Sequence, residues 1–538
     1  MTDVALPLLI AIPIVAAVLP LTAGLYRDAV GWPIAAVTTT ALVPLAGLLG
    51  QTVLSEGRIR YALGGWTPPQ GIELVADELS VAVVLMVAVI SLAVLAFTRT
   101  QGPRRNSFYS GYLLLTGGLM GMALTGDLFN LFVFLEIVGL TTYALVAADR
   151  SGASAYASLK YLIVGTVGAS LYLVGVGYVF IATGTLNMLD LQEAMAAVGY
   201  GDPLLQTGYA FIAAGFALKI AIFPVHSWQP DAYQRAPDGV TMYIAALVST
   251  TAAYALLRVT YTVFTVEFLQ ANEAITTALL IVAAISIVIG SGLSVIQSDL
   301  KRMFAYSSVA QFGMIVAAVA LANRTALLGG IVHLVGHGIM KVGLFLAIGL
   351  LATGYGVRTV GDLASLARSA PFTAGGFAVL GLALVGIPPS VGFVGKWYIA
   401  LGAVEGGATG IAVVVIVSTL LTLAYVARII EKLYFAGGSA GTEPLLDDDT
   451  GETPAAVAAD GAGVGTGSGD GATPVTADSS VSPAAPVTDA PFIPLVPDRV
   501  PAAGLLVLVV TAAVVVGLGF GGLTFETLFE PFFARVFP

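Results

Sequence analysis

Residues 211–228 read FIAAGFALKIAIFPVHSW, an apolar run that contains one lysine, Lys219, and one proline, Pro224. Two more lysines stand in comparable surroundings, Lys341 in GHGIMKVGLFL and Lys396 in VGFVGKWYI. An amine at bilayer depth costs roughly 2.5–3.5 kcal/mol on insertion scales, so such residues usually face a bundle interior, pair with an acid or line an ion path. These stretches therefore predict a membrane protein with functional charges inside it.

The whole chain has the composition of a polytopic membrane protein. Its 538 residues are 57% hydrophobic and only 10% charged, whereas soluble domains carry about 25% charged residues. Apolar runs long enough to cross ~30 Å of hydrocarbon as helices recur from end to end, and they are continuous rather than alternating, which excludes a β-barrel. We predict about fourteen transmembrane spans, at 4–24, 30–50, 76–98, 108–125, 127–147, 156–183, 204–226, 239–261, 274–294, 303–322, 326–353, 372–403, 409–434 and 501–521.

Basic residues divide unequally between the two sides of the predicted bundle. Twelve follow odd-numbered spans: Arg27, Arg99, Arg104, Arg105, Arg150, Arg235, Lys301, Arg302, Arg358, Arg368, Arg428 and Lys432. Five lie on the other side: Arg58, Arg60, Arg258, Arg324 and Arg535. Because cytoplasmic loops carry the excess of Lys and Arg, we predict a multi-pass protein of the cell membrane with both termini outside the cytoplasm.

Residues 438–500 differ from the rest of the chain. They hold ten acids and a single arginine, are rich in Gly, Ala, Pro, Ser and Thr, and contain no aromatic residue before Phe492. Such a segment cannot bury enough apolar surface to offset its ordering entropy. We predict a disordered, acidic, cytoplasmic linker at 438–500, followed by the last span and a tail at 501–538.

Prolines interrupt two of the predicted spans close to a lysine. Pro224 follows Lys219 by five residues, and Pro388 and Pro389 precede Lys396 in GIPPSVGFVGK. Proline breaks the helical hydrogen-bond ladder, and paired broken helices in transporters occur near the ion site of inverted repeats. The pattern predicts broken spans 7 and 12 in an inverted-repeat transporter. The alternative is that the prolines are merely tolerated and that each lysine snorkels to the membrane surface.

Span 11 places three titratable residues on one helical face. His333, His337 and Lys341 follow the spacing i, i+4, i+8, which brings them to the same side of a helix. A neutral imidazole accepts a proton at one nitrogen and donates one at the other, so the row can relay protons. Two alternatives to a relay remain. In the first, the histidines are metal ligands, although the sequence offers no third ligand. In the second, they are hydrogen-bonded core residues without a transport role.

Glu136, in LFNLFVFLEIVGLTTYALV, is the acid that matches the buried lysines. Beside a lysine on a neighbouring helix it would be ionised, and we expect it to pair with Lys219; a purely structural salt bridge is the alternative. Asp299, in QSDLKRMFAYSS, lies at the predicted cytoplasmic end of a span. A solvated helix cap is favoured there over a place in the ion path.

Several motifs in this chain resemble one known family. They are GDLFNLFVFLEIVGLTTYAL, ALKIAIFPVHSWQPDAYQRAP, SDLKRMFAYSSVAQFGMI, HLVGHGIMKVGLFL and GIPPSVGFVGKWYI. From about residue 60 to 435 the sequence resembles the proton-conducting membrane transporters, which include antiporter-like subunits of complex I, membrane-bound hydrogenase subunits and Mrp-type sodium/proton antiporters. The stretch YALGGWTPPQGIELVADELS is most similar to the D subunit of Mrp antiporters.

The resemblance implies an all-α fold with three N-terminal helices (1–107) and two inverted five-helix repeats. Helices 4–8 (108–265) and 9–13 (266–437) would form these repeats. It also implies that Glu136 and Lys219 form the charge pair of the first half-channel.

In the same family pattern, the two histidines and Lys341 form a central polar axis, and Lys396 is the terminal site of the second half-channel. Family members often carry a lysine in helix 8, where this chain has Thr250. A hydroxyl orients a water but cannot hold a proton's charge. Water would then have to bridge Lys219 to His333 or His337, with His226 marking a second possible route.

The sequence therefore predicts a proton-translocating subunit of a multisubunit sodium/proton antiporter. Protons and sodium are the expected ions, and other membrane subunits are the expected partners. The chain contains no cysteine, nucleotide loop or quinone signature, so neither a cofactor nor enzymatic activity of its own is expected. Its scarce, scattered basic residues give no reason to expect a nucleic-acid partner. The alternatives are a proton-pumping subunit of a redox complex and a passive scaffold, the latter disfavoured by the buried charges.

Overall fold

A computed structural model describes residues 4–103, 105–436 and 500–537 of the chain. The predicted linker at 438–500 lies outside the described residues, apart from Val500. The described chain is almost entirely helical. Its α-helices are α1 Ala5–Ala16, α2 Leu19–Ala23, α3 Gly31–Glu56, α4 Glu78–Gln101, α5 Asn106–Leu124, α6 Leu128–Val146, α7 Gly152–Thr183, α8 Met188–Val198, α9 Pro203–Ile220, α10 Trp228–Arg235, α11 Asp238–Tyr243, α12 Ser249–Arg258, α13 Thr265–Ala271, α14 Glu273–Val295, α15 Leu300–Ala320, α16 Arg324–Tyr355, α17 Pro371–Val385, α18 Val391–Glu405, α19 Thr409–Tyr434, α20 Ala502–Gly519 and α21 Gly522–Val536.

The predicted polytopic all-α architecture is confirmed. Twelve helical stretches of the described chain are long and apolar enough to cross a membrane. The helix α5 and the pair α17–α18 occupy the places of predicted spans 4 and 12, which completes the predicted set. A short antiparallel hairpin, β1 Ile59–Ala62 with β2 Glu73–Ala76, joins spans 2 and 3. The sequence did not predict this hairpin.

Spans 7 and 12 are both broken, as their prolines predict. In span 7 the helix α9 ends at Ile220, and Ala221 adopts a left-handed conformation with φ 64° before Pro224. In span 12 the helix α17 ends at Val385, and Gly386 has φ 94°. A glycine suits this position because the left-handed region carries no steric penalty without a Cβ. Each break leaves a helix C-terminus inside the bundle.

Two sets of five spans share the same backbone pairing. The amide of Leu128, at the start of α6, donates to the carbonyl of Leu186 at 3.0 Å; the amide of Leu300, at the start of α15, donates to the carbonyl of Arg358 at 3.0 Å. Each acceptor follows a helix of 32 residues, α7 or α16. One constant shift along the chain relates the two pairs. Because five is an odd number of crossings, the second set runs in the opposite direction, as inverted repeats do.

Span 8 is the buried centre of the bundle. Every residue in its most apolar stretch is buried. It is an α-helix interrupted by two wider π-helical segments, Ile244–Val248 and Val259–Phe264. Its helix α12 packs against α9 of span 7 on one side and α16 of span 11 on another. Span 8 therefore lies between the lysine of span 7 and the histidines of span 11.

The final helix, α21, lies beyond the last predicted span and was not predicted. It buries one aromatic face, made of Phe529, Phe532 and Phe533. Arg324 pairs with Glu530 of this helix, so α21 is attached to the start of α16.

Candidate functional site

The structure brings Lys219 and Glu136 together. Lys219 Nζ lies 3.7 Å from Glu136 Oε1, and the two side chains are 6% and 25% exposed. Lys219 Nζ also donates to the hydroxyl of Tyr143 at 3.4 Å. The expected pair of spans 5 and 7 is therefore present, with a tyrosine that the sequence did not single out.

Local backbone geometry makes room for this lysine. Lys219 lies in the last turn of α9, where the negative end of the helix dipole favours a cation. Across from it, Gly139 has no side chain, and a Cβ there would lie 3.1 Å from Lys219 Nζ. The neighbouring carbonyl of Leu218 accepts a hydrogen bond from Trp228 Nε1 at 2.9 Å, which fixes the end of α9 across the break.

A small cavity of about 10 Å³ lies beside Lys219. That is about the smallest volume that holds one water, roughly 10–15 Å³. Its walls include Tyr161 and, from span 8, Val248 and Ala252. The cavity thus lies between Lys219 and the middle of span 8.

The middle of span 8 carries two hydroxyls that bond to nothing in the described part of the protein. Thr250 and Thr251 are fully buried, and neither Oγ1 has a hydrogen-bond partner there. Helical threonines ordinarily bond to the carbonyl three or four residues earlier; here those carbonyls belong to the π-helical segment Ile244–Val248 or adjoin it. Buried polar atoms usually have a partner, often water, so the two hydroxyls are suited to hold water.

The two histidines of span 11 have different surroundings. His333 Nε2 shares a hydrogen bond with Gln311 Oε1 at 2.8 Å. His337 is fully buried, packs edge-on against Phe312 with ring centroids 4.7 Å apart, and within the described residues bonds through neither nitrogen. A structural hydrogen bond therefore accounts for His333 but not for His337. No group of three or more metal-ligating residues occurs within the described ranges.

Lys341 and Lys396 are held by neutral oxygens. Lys341 Nζ donates to the carbonyl of Phe304 at 2.8 Å and to the hydroxyl of Ser307. Lys396 Nζ donates to the carbonyls of Leu384 at 2.8 Å and Val385 at 3.0 Å, the C-terminal end of α17. Within the described chain neither amine forms a salt bridge, in contrast to Lys219.

The second repeat brings these groups close together. A Cβ added at Gly395 would lie 2.7 Å from His333 Cβ, so the helix that carries Lys396 packs directly against the histidine helix. Lys396 itself follows Gly395 in the chain. The row from the histidines to Lys341 and Lys396 therefore forms one buried cluster between α16, α17 and α18.

Two further candidates lie nearer the ends of the spans. His226 stands in a short helical turn, Val225–Ser227, at the break of span 7, with its ring centroid 5.3 Å from that of Phe223. Asp299 Oδ1 accepts a hydrogen bond from the amide of Arg302 at 2.8 Å and so caps α15. This is the geometry expected of the helix cap that the sequence favours.

Sequence reasoning missed several buried ion pairs. Arg258 Nη1 lies 2.5 Å from Asp77 Oδ2, with both side chains almost fully buried. Lys301 pairs with Asp238 at 3.1 Å. The sequence placed Arg258 only at the extracytoplasmic end of predicted span 8 and gave it no partner. The sequence does mark Asp77 as structurally placed, because Ser80 follows it by three residues, a spacing typical of a helix cap.

Comparison with known proteins places this arrangement in a family. The family described as NADH:quinone oxidoreductase/Mrp antiporter, TM, matches residues 125–422, the part that contains all the groups of the proposed sites in spans 5 to 12. The chain belongs to this family. The resemblance inferred from its motifs is thereby confirmed.

Named relatives include both branches of the family. The N subunit of the NADH-quinone oxidoreductase of Desulforudis audaxviator is 40% identical over 439 residues, covering 79% of this chain and 87% of the relative. The D subunit of the Na(+)/H(+) antiporter of Bacillus subtilis is 33% identical over 391 residues, covering 72% and 78%. A chain of the membrane-bound sulfane sulfur reductase, an archaeal respiratory membrane complex, superposes with a TM-score of 0.83 at 28% identity, covering 99% of this chain and 98% of that one.

These findings fix the general role of the protein. It is a multi-pass membrane protein and an antiporter-like subunit of the kind found in Mrp or complex I-like assemblies. Other membrane subunits are accordingly its expected neighbours. Similarity to both an oxidoreductase subunit and an antiporter subunit is compatible with proton movement driven by electron transfer or by a sodium gradient.

Proposed function

We propose that this chain translocates protons as a subunit of a multisubunit sodium/proton antiporter. The observation that carries the proposal is the pairing of buried Lys219 with half-buried Glu136 at 3.7 Å. This separation is longer than a charge-assisted hydrogen bond, about 2.7–2.9 Å, so the amine is not locked to its acid. A proton on Lys219 can therefore leave toward a second acceptor.

The first half of the relay runs from Glu136 to Lys219 and on to span 8. The cavity beside Lys219 borders Val248 and Ala252, and the adjacent hydroxyls of Thr250 and Thr251 are free, among the described residues, to bond water. In this proposal one or more waters held there carry the proton across span 8. Packing of α12 against both α9 and α16 supports this route.

The second half runs through His337, His333, Lys341 and Lys396. His337 has both ring nitrogens free among the described residues, as a group that takes and passes protons requires. Among the described residues, Lys341 and Lys396 have no acid partner. The protonation of either amine therefore depends on nearby charges that change during transport. Lys396 reaches the carbonyl end of α17, which stabilises a cation when one arrives.

The orientation belongs to the same proposal. Both termini lie on the extracytoplasmic side, and the linker 438–500 lies in the cytoplasm, because the basic residues are concentrated after odd-numbered spans and such residues stay in the cytoplasm. Sodium crosses through this chain or a partner subunit.

The direct test is antiport in sealed vesicles that contain the assembled complex. A sodium gradient imposed without any electron donor should drive proton movement, reported by a pH-sensitive dye trapped inside. A matched choline gradient should drive none. Equal responses to sodium and choline would rule out antiport.

A second candidate is a proton-pumping subunit of a redox complex. The observation in its favour is the 40% identity to the N subunit of an NADH-quinone oxidoreductase. The same residues would then move protons outward when electrons flow elsewhere in the complex. Proton movement driven by an electron donor, and unaffected by a sodium gradient, is the result that would select it.

A further inference from the structure

A pocket of about 210 Å³ lies beside the ends of α5 and α6, on the arginine-rich side of the bundle. The connection between α4 and α5 contributes Arg105 to its lining, and the turn between α6 and α7 contributes Arg150. Ser107, in the first turn of α5, adds a hydroxyl. All three residues are exposed. The proposed proton relay uses none of them.

The two arginines of this pocket have no acidic partner in the described part of the chain. None of the salt bridges found there includes either of them, and α5 begins without a side-chain cap or an acidic residue in its first turn. On the same side of the bundle, Lys301 pairs with Asp238 and Arg302 pairs with Asp231. The mouth of the pocket therefore differs from its surroundings in carrying two positive charges that form no ion pair with a described residue.

Behind the arginines the pocket is apolar. Its walls include Phe108 and Gly111 of α5, and Ala144 and Leu145 of α6. Gly111 follows Arg105 by six residues, about 9 Å along a helix. The two helices are close at this depth, because a Cβ added at Gly111 would lie 3.3 Å from Leu145 Cδ2. The pocket thus leads from a charged mouth at the ends of two spans to apolar walls along those spans.

This combination of groups fits an anionic phospholipid. Guanidinium groups bind phosphate oxygens through paired, charge-assisted hydrogen bonds, and basic pockets between membrane helices bind lipid head groups. A soluble phosphate would use the arginines but not the apolar walls, whereas a lipid also places an acyl chain against them. A zwitterionic head group fits less well, because it brings its own cation close to two guanidinium groups.

We propose that Arg105, Arg150 and Ser107 bind the phosphate of an anionic phospholipid, and that its acyl chain lies against Gly111 and Leu145. This lipid site goes beyond the proposed transport function and does not depend on it. The lipid contacts both α5 and α6 and so ties the ends of spans 4 and 5 together.

The test measures lipid binding to the assembled complex, purified in detergent and depleted of lipid. Native mass spectrometry counts the bound molecules as short-chain phosphatidylglycerol is added. An arginine near the membrane surface contributes enough attraction for anionic lipid to change binding about fivefold. Arg105→Gln and Arg150→Gln should therefore each weaken the binding of one lipid about fivefold, and the double variant should weaken it about 25-fold.

The matched control is the double variant Arg235→Gln/Arg368→Gln. It removes the same charge on the same side of the bundle, and neither residue lines the pocket. This variant should bind phosphatidylglycerol as the parent does. Phosphatidylcholine of equal chain length should bind more weakly at the site, and inorganic phosphate at equal concentration should not displace the phosphatidylglycerol.

Four results would overturn the lipid site. Unchanged binding in the Arg105→Gln/Arg150→Gln complex would place the lipid elsewhere, and an equal loss in the control would reduce the effect to general charge attraction. Equal binding of phosphatidylcholine would remove the anionic selectivity, and displacement by inorganic phosphate would make the pocket a soluble-anion site. If the Arg105→Gln/Arg150→Gln complex loses a partner subunit but no lipid, the pocket is a protein contact. Proton flux plays no part in this measurement, so a failure of the relay leaves its outcome unaffected.

Discussion

The sharpest structural prediction concerns Gly165 of α7, which does not touch Lys219 itself. A Cβ added there would lie 1.9 Å from the hydroxyl oxygen of Tyr143, where ordinary van der Waals contact begins at 3.4 Å. In Gly165→Ala the hydroxyl must therefore move by about 1.5 Å, and a misplacement of about 1 Å can lower a rate ~100-fold. The Tyr143 ring cannot yield easily, because it is buried and packs edge-on against Tyr161 at 4.6 Å.

The consequence for transport follows from the hydrogen bond between Lys219 and Tyr143. When the hydroxyl moves, the lysine loses this partner and its position relative to Glu136 shifts. We expect Gly165→Ala to reduce proton flux in vesicles about ten- to a hundredfold, with the complex still assembled.

Gly177→Ala is the matched control. It lies on the same helix, and an added Cβ there meets nothing within 4 Å. Replacing a helical glycine by alanine removes a cost of up to about 1 kcal/mol, so this variant should be as stable as the parent or more so, with full flux. Equal flux in the two variants would refute the role of Tyr143 in positioning Lys219.

Three further predictions concern span 8, the acidic segment and the buried Asp77–Arg258 pair. Thr250→Val should impair proton flux, because a methyl cannot hold the bridging water. Thr250→Lys should be tolerated, because an amine can replace that water. An inactive, well-assembled Thr250→Lys beside a fully active Thr250→Val would place the proton path elsewhere. Deletion of 445–490 should leave flux unchanged, and a tenfold loss at normal protein abundance would make that segment a functional element. Burial raises the pKa of Asp77, which precedes α4, but Arg258 and the Ser80 amide outweigh burial and hold it below its ordinary 3.8. The stability gained from this carboxylate is therefore present above pH 3.8 and is lost as pH falls through the lowered pKa. Thermal unfolding of the parent protein across that pH range should show a loss of stability in acid that Asp77→Asn lacks. Identical pH profiles for the two proteins would contradict this stabilising role of the carboxylate.

Much of the fold could be predicted because it is encoded locally. Apolar runs fix the spans, and the prolines near Lys219 and Lys396 fix the two breaks. The isolated charges of spans 5 and 7 also predicted a pairing of Lys219 with Glu136, since a lone ion at that depth needs a partner.

The elements that were missed depend on contacts between distant parts of the chain. Arg258 and Asp77 are 181 residues apart, and the count of basic residues placed Arg258 only at the extracytoplasmic end of a span, without a partner. The π-helical segments of span 8 leave no signature in apolar periodicity, and Tyr143 is one aromatic residue among many on apolar helices. Helix α21 follows the last apolar run, and its attachment emerges only through the pairing of Glu530 with Arg324.

The central claim is that protons move through the Glu136–Lys219 pair. It is tested most directly by proton flux in sealed vesicles containing the assembled complex, with Glu136→Ala, Lys219→Ala, the double variant and Glu193→Ala as a surface control. The account predicts that each single variant abolishes flux at normal abundance, that the double variant is no worse than either single one because the two act as a unit, and that the control is unaffected. Near-normal flux in Glu136→Ala or Lys219→Ala, with normal assembly, would contradict it.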